Sequence, residues 1–147
     1  MSGVTREITQ FDDPLSIQAA ELLSASALDG MISPDVVLGM WELSPSNQHP
    51  IALADQASGE LLAAGWVSGR QGANVAVLAA LSVAEGYADQ GYGRQLLQEC
   101  EAKARALGAT TLKLQARGPA QGFFEKMQYE RSGESSFSKS LAPAAEE

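Results

Sequence analysis

Cysteine and histidine each occur once among the 147 residues, and lysine and arginine together only ten times. The lone Cys100 excludes an internal disulfide framework and any zinc site built from several cysteines; no metal is expected. It also makes a reducing cytoplasm the simplest compartment. Long apolar runs are missing: none approaches the roughly 18 residues that a membrane span needs, so no membrane role is expected. Met1–Gln10 is polar and contains acid, unlike a signal peptide. Eighteen acids outnumber the bases and leave a net charge of −8. A nucleic-acid role, which needs a basic face, is therefore disfavoured.

The remaining composition, 45% hydrophobic and 19% charged, is the balance of a soluble globular chain. Its length suits one domain with a real core. A single domain over residues 1–141 is expected, with a frayed, disordered tail over 142–147 (Ala-Pro-Ala-Ala-Glu-Glu). Charge is uneven. Residues 1–69 carry nine acids and one base, Arg6, whereas residues 70–147 carry nine of each. One explanation is a solvated acidic surface that aids solubility. The other is an N-terminal half that attracts a cation beside a C-terminal half that tolerates an anion.

Hydrophobic spacing orders the chain. Thr5–Gln10 reads as a strand. Pro14 opens a helix with Leu15, Ala19, Leu22, Leu23 and Ala27 at helical intervals, broken at Asp29-Gly30. Ser33-Pro34-Asp35 combines a capping hydroxyl, a first-turn proline and an acid at the positive helix end. It predicts a second helix with Val37, Met40 and Trp41 on one face. Ser44–Pro50 reads as a loop and Ile51–Ala54 as a strand. Asp55–Glu60 is a hairpin turn, and Leu61–Ser68 a second strand. Asn74–Ala84 is almost continuously apolar, as in a central strand covered on both faces. Gly91–Leu107 is the clearest helix. Tyr92, Leu96, Leu97, Cys100, Ala104 and Leu107 form its apolar stripe, and Glu99/Lys103 and Glu101/Arg105 its wet face. Gly108 stops it. A strand at Thr110–Gln115, a short helix at Pro119–Met127 and strands near 129–132 and 137–141 follow. The order is an α/β sandwich around a mixed sheet.

Leu81-Ser82-Val83-Ala84-Glu85-Gly86-Tyr87-Ala88-Asp89-Gln90-Gly91-Tyr92-Gly93-Arg94-Gln95 carries the chemistry. A buried strand ends and a long helix begins beside two glycines. A helix's first turn offers outward N–H groups and a positive dipole end. Glycine lets an anion approach the backbone, and Arg94 can add a charge-assisted contact. An ordinary strand-to-helix turn with glycines for tight packing is the alternative for Gly-x-Gly alone.

This segment resembles motif A of the GNAT superfamily of N-acetyltransferases, Gln/Arg-x-x-Gly-x-Gly/Ala. Gly91 and Gly93 match; Ala88 stands where Gln or Arg is usual, and Asp89 where glycine is common. Ala120-Gln121-Gly122-Phe123-Phe124-Glu125-Lys126-Met127-Gln128-Tyr129-Glu130, followed by Gly133-Glu134, resembles the family's Ala-x-x-Phe-Tyr-Glu-Lys-Leu-Gly-Phe-x-x-x-Gly-Glu signature. The likeness spans about residues 51–141. It implies an α/β (α+β) fold: a mixed, mostly antiparallel central sheet flanked by helices and splayed at two central parallel strands. It implies acetyl-CoA, or another acyl-CoA, as co-substrate. The pyrophosphate would lie on Ala88, Asp89, Gln90, Gly91, Tyr92, Gly93, Arg94 and Gln95. The pantetheine arm would lie on backbone groups of Leu81, Ser82 and Val83, with Phe124 nearby. Family members often have tyrosine at the position of Phe124, as acid for the leaving thiolate; phenylalanine has no proton to give.

The implied activity is N-acyl transfer, an acetyl group passing to a primary amine by direct attack in a ternary complex. The acceptor is a small-molecule or peptidyl amine, with a cationic one favoured by the acidic N-terminal half. A non-catalytic acyl-CoA-binding sensor or regulatory module is the alternative, and a ligand-free structural domain a third. No catalytic residue is assigned. Val75–Ala84 contains no carboxylate, Glu85 is expected at the loop mouth, and Asp35 and Glu42 read as solvated helix acids. His49, in a Ser/Asn/Pro loop, is expected at the surface; Cys100, Trp41, Trp66 and Tyr129 are expected to pack. The assembly is a monomer or homodimer.

Overall fold

A computed structural model of the chain describes residues 3–7, 14–27, 31–87, 90–116 and 119–141. Among them, seven strands form one sheet in the order β1-β2-β3-β4-β5-β7-β6. The strands are β1 (Gly3–Glu7), β2 (Gln48–Asp55), β3 (Leu61–Ser68), β4 (Val75–Val83), β5 (Thr111–Gln115), β6 (Glu130–Arg131) and β7 (Ser136–Ser140). The helices are α1 (Pro14–Leu22), continued by a π-helical segment Leu23–Ala27, then α2 (Pro34–Leu43), α3 (Tyr92–Ala106) and α4 (Pro119–Lys126). All neighbouring strands are antiparallel except β4 and β5. The mixed, mostly antiparallel sheet between helices is the architecture expected from the sequence.

Two cores sandwich the sheet. On one face α3 and α4 bury Leu96, Leu97, Cys100 and Phe124 against Leu53, Leu62, Leu78, Leu112 and Phe137. On the other, α1 and α2 bury Ala19, Ala20, Val37 and Trp41 against Ala52, Ala64, Trp66 and Ala80. Trp41 and Trp66 meet edge to face, 5.8 Å between centroids. The whole predicted stripe of α3 is buried. The α2 cap is also as read: the Val36 N–H donates to Ser33 Oγ over 3.3 Å. In the β2–β3 turn the Ser58 N–H and hydroxyl both donate to Asp55 Oδ2, which holds that carboxyl below its usual range.

Several expectations give way. Residues 44–50 are not all loop, because β2 begins at Gln48, where pairing with β3 supplies backbone partners. His49 is buried, not superficial, and its Nε2 lies 2.9 Å from the Gly69 carbonyl. Met40 faces solvent, while Val37 and Trp41 face the core. Glu101 is no wet-face acid: it accepts from the Tyr129 hydroxyl (2.7 Å) and from Lys139 Nζ (3.2 Å), both beyond its own helix. β4 is covered on both faces only in its second half. Val75 and Val77 lie opposite the α3 side and stay exposed, since α1 and α2 pack further along, on Ala80. The helix break at Asp29-Gly30, the first strand's residues 8–10 and the tail 142–147 lie outside the described residues.

α3 lies unusually close to β3. A Cβ added at Gly65 would meet Cys100 Sγ at 2.8 Å and Leu81 Cδ1 at 3.3 Å. Gly65→Ala should therefore cost about 1–3 kcal/mol by overpacking. Adding Cys100→Ala vacates the volume that the new methyl needs, so urea denaturation of the double variant should recover part of the loss. Strict additivity would contradict this contact.

Candidate functional site

Two features open β4 where it meets α3. In the first, Trp66 pairs with Ala80 and Val67 with Leu78, leaving Ala79 as an extra residue on β4. Such a bulge inverts the side-chain alternation. Ala76 and Leu78 accordingly enter the α3 core, and Ala80 the α1–α2 core. In the second, the parallel pairing with β5 runs only from Val75/Thr111 to Leu78/Leu114, although β4 continues to Val83. Past Leu78 the β5 edge of β4 has no strand partner among the described residues. The splay expected at the two parallel strands is this divergence.

Strand alternation sorts the three β4 residues singled out in the sequence. The Ala84 N–H donates to Leu62 C=O over 2.8 Å, so the register turns Ser82's backbone towards β3 as well. Leu81 and Val83 turn their N–H and C=O groups to the opposite, open edge. Ser82 is thus a buried member of the sheet, and Leu81 and Val83 line the divergence.

The chain then reaches α3 through Gly91, its N-cap, with φ 85° and ψ 2° and no side-chain cap. That left-handed conformation costs a non-glycine residue roughly 1–2 kcal/mol. Among the described residues, a Cβ built there meets nothing within 4 Å, so none of them fills the space beside this end of the helix. The first helical bond runs from the Gln95 N–H to Gly91 C=O over 3.0 Å. The amides of Tyr92, Gly93 and Arg94 precede it and point out of the helix end. They carry the positive end of a dipole that fifteen helical residues build.

The remaining candidates take distinct places. Arg94 is exposed at this mouth, and Gln90 is exposed with Nε2 3.4 Å from Gly86 C=O. Tyr92's side chain is core, edge to face with Tyr87 at 6.2 Å, so its contribution to the mouth is backbone. Phe124 is buried in α4, its ring 5.0 Å from Phe123 and 5.5 Å from Tyr129. Ala88 and Asp89 lie outside the described residues.

Phe123, not selected from the sequence, joins the walls of this cleft. A Cβ at Gly93 would lie 3.4 Å from Val83 Cγ2 and 3.6 Å from Phe123 Cε1 and Cζ. The end of β4, the first turn of α3 and the face of α4 therefore converge on one point. Its signal in the sequence was its match to the phenylalanine of the family signature, beside Phe124.

Nearby titratable groups are committed elsewhere. Burial, helped by the Tyr129 hydrogen bond to Glu101, pushes that phenol far up. Burial, then the charges of Glu101 and Glu99, pushes the Cys100 thiol up in the same way, so it is no nucleophile. Glu85, Asp35 and Glu42 are exposed. Among the described residues no His/Cys/Asp/Glu cluster suits a metal ion, and no helix is long and apolar enough to cross a membrane.

What this arrangement can do chemically is hold an extended ligand. An open strand edge can pair with an amide-bearing arm, and the helix end can hold an anion. Solved structures share the whole fold at low identity. An aminoglycoside 6'-N-acetyltransferase complexed with coenzyme A superposes with a TM-score of 0.76 at 16% identity, covering 95% of this chain and 98% of that one. The PaiA N-acetyltransferase from Thermoplasma acidophilum, in complex with coenzyme A, gives 0.70 at 19%, with 95% and 99% covered. A GNAT family acetyltransferase from Brucella melitensis, in complex with acetyl-CoA, gives 0.71 at 15%, with 97% and 90% covered. No curated protein sequence matches the chain. The family match is decisive: residues 18–129 match the Acetyltransferase (GNAT) family, and the chain belongs to that family.

Proposed function

We propose that this protein is an acyl-CoA-dependent N-acyltransferase, moving an acetyl group from acetyl-CoA to a primary amine by direct attack in a ternary complex. The observation that carries this reading is the coincidence of β4's open edge with the glycine-capped start of α3. The amides of Gly93 and Arg94 and the Arg94 side chain would hold the pyrophosphate. Leu81 and Val83 would pair with the pantetheine amides, as a strand pairs with a strand. Backbone N–H groups near the Ala79 bulge would polarise the thioester carbonyl, and the protein's main contribution is then positioning.

The two proton transfers need little from side chains. The thiolate leaves without an acid's help, since a simple thiol has a pKa of about 8.5. Phe124 offers no proton, and the Tyr129 hydroxyl is held protonated in its hydrogen bond to Glu101. Water at the exposed mouth would take the proton of the attacking amine. The residues charged with the acceptor are the acids of the N-terminal half, which favour a cationic amine.

A panel of polyamines, aminoglycosides and lysine peptides, assayed with acetyl-CoA for release of thiol, should show turnover. Binding without turnover on every amine would favour the second reading, a non-catalytic acyl-CoA sensor, which Phe124 motivates. Phe124→Tyr separates the two. A rise in rate marks an enzyme that lacked its best acid; no activity in either form favours the sensor.

A further inference from the structure

α2 carries a surface that the acyl-CoA cleft does not use. Val36, Met40 and Leu43 are spaced by four and three residues, so they share one side of the helix. That side faces away from Val37 and Trp41, which are buried. Val36 is 52% exposed, Met40 39% and Leu43 86%, and Met31, just before the helix, is 83% exposed. Single exposed apolar residues are ordinary, but three large ones on one side of a helix make a patch. A Cβ at Gly39, on the same side, would meet nothing within 4 Å among the described residues. Asp35 and Glu42, both exposed, flank the patch. Residues 14–69 contain six acids and no lysine or arginine, so these elements offer no cation of their own.

We infer that the outer face of α2 docks a basic, amphipathic polypeptide segment, whose apolar side lies on Val36, Met40 and Leu43 and whose lysines face the acids. The charge argues for this occupant. A second copy would bring acid against acid, whereas a basic segment meets complementary charge at Asp35 and Glu42. The helix that carries the patch reaches β4 from the other face of the sheet, near the bulge. Trp41, on the inner side of the same helix, packs on Trp66, whose strand partner is Ala80 beside the bulge. A helix is about 10 Å thick, which three or four residues of extended chain can span. Resting on the acyl-transfer reading for this step alone, the segment would supply the acceptor lysine.

The test uses a dye-labelled amphipathic Leu/Lys peptide, with oligolysine and a Leu/Glu peptide of equal length as comparators, followed by fluorescence anisotropy without acyl-CoA. The Leu/Lys peptide should bind saturably and the other two weakly. Met40→Ser with Leu43→Ser should weaken it about tenfold or more. Should that pair fail to fold, the single Leu43→Lys, at the most exposed position, should weaken it likewise. Oligolysine binding as tightly as Leu/Lys would overturn the proposal, and so would unchanged affinity in the variants. So would a dimer in sedimentation that the substitutions dissolve. With acetyl-CoA present, the variants should raise KM for the peptide's lysines and leave kcat on a small amine unaltered. Docking without acetylation of any amine supports the surface and faults the acyl-transfer reading; acetylation of small amines without docking does the reverse.

Discussion

Gly91→Val is expected to weaken acetyl-CoA binding about a hundredfold or more, measured by calorimetric titration. Two charge-assisted hydrogen bonds at roughly 1.5 kcal/mol each amount to that factor. The mechanism has two parts. Gly91 sits at φ 85°, where a β-branched side chain is strained, so the first turn must re-form to accept valine. Even if it did not, the side chain would stand in the space beside the helix end, which no described residue fills. Gly91→Asn separates the parts, because asparagine tolerates the left-handed conformation. It should keep the fold and still lose much of the affinity. Undiminished affinity in a folded Gly91→Val protein would remove this turn from the site.

The second large effect concerns stability. Glu101→Ala should cost about 2–4 kcal/mol, or about 5–15 °C in Tm, read by thermal unfolding. It strands the buried Tyr129 hydroxyl and the Lys139 ammonium against the flank of α3. Lys139's side chain remains a quarter exposed, so the cost falls below that of a fully buried pair. Glu101→Gln, which keeps an acceptor for Tyr129, should cost less. The alkaline limb tests the same cluster. Burial and Glu101 hold the Tyr129 phenol protonated above its ordinary 10.0, so the folded protein binds that proton more tightly than the unfolded chain. The stability linked to it is whole below about pH 10 and is lost as pH rises further. Tyr129→Phe should flatten that limb.

These two regions differ in how far the sequence announced them. The α3 stripe was legible because helical periodicity is local: Tyr92, Leu96, Leu97, Cys100 and Ala104 repeat at turn spacing, and all are buried. The cap at Ser33 and the glycines at Gly91 and Gly93 were legible for the same reason, each being a backbone requirement met within a few residues. Glu101's burial is not legible in this way, because its partners lie 28 and 38 residues further on. Its i,i+4 spacing to Arg105 was real but outweighed by a buried phenol. His49 looked like loop because Ser, Asn and Pro surround it, yet pairing with β3 draws that segment into the sheet. The bulge at Ala79 and the divergence after Leu78 are properties of two strands in register, which neither strand's composition encodes. Phe123's approach to Gly93 and Val83 likewise depends on how α4 docks against α3. The family motifs pointed to a stretch of chain; its geometry needed the whole sheet.

The central claim is that an acyl-CoA lies along the open edge of β4 with its phosphates on the start of α3. The most direct measurement is amide NMR of the protein titrated with acetyl-CoA. The account predicts saturable shifts at Leu81, Val83, Gly91, Gly93 and Arg94, and a smaller one at Ser82, whose backbone faces β3. Absence of binding to the folded protein, or saturable shifts confined to other surfaces, would contradict it.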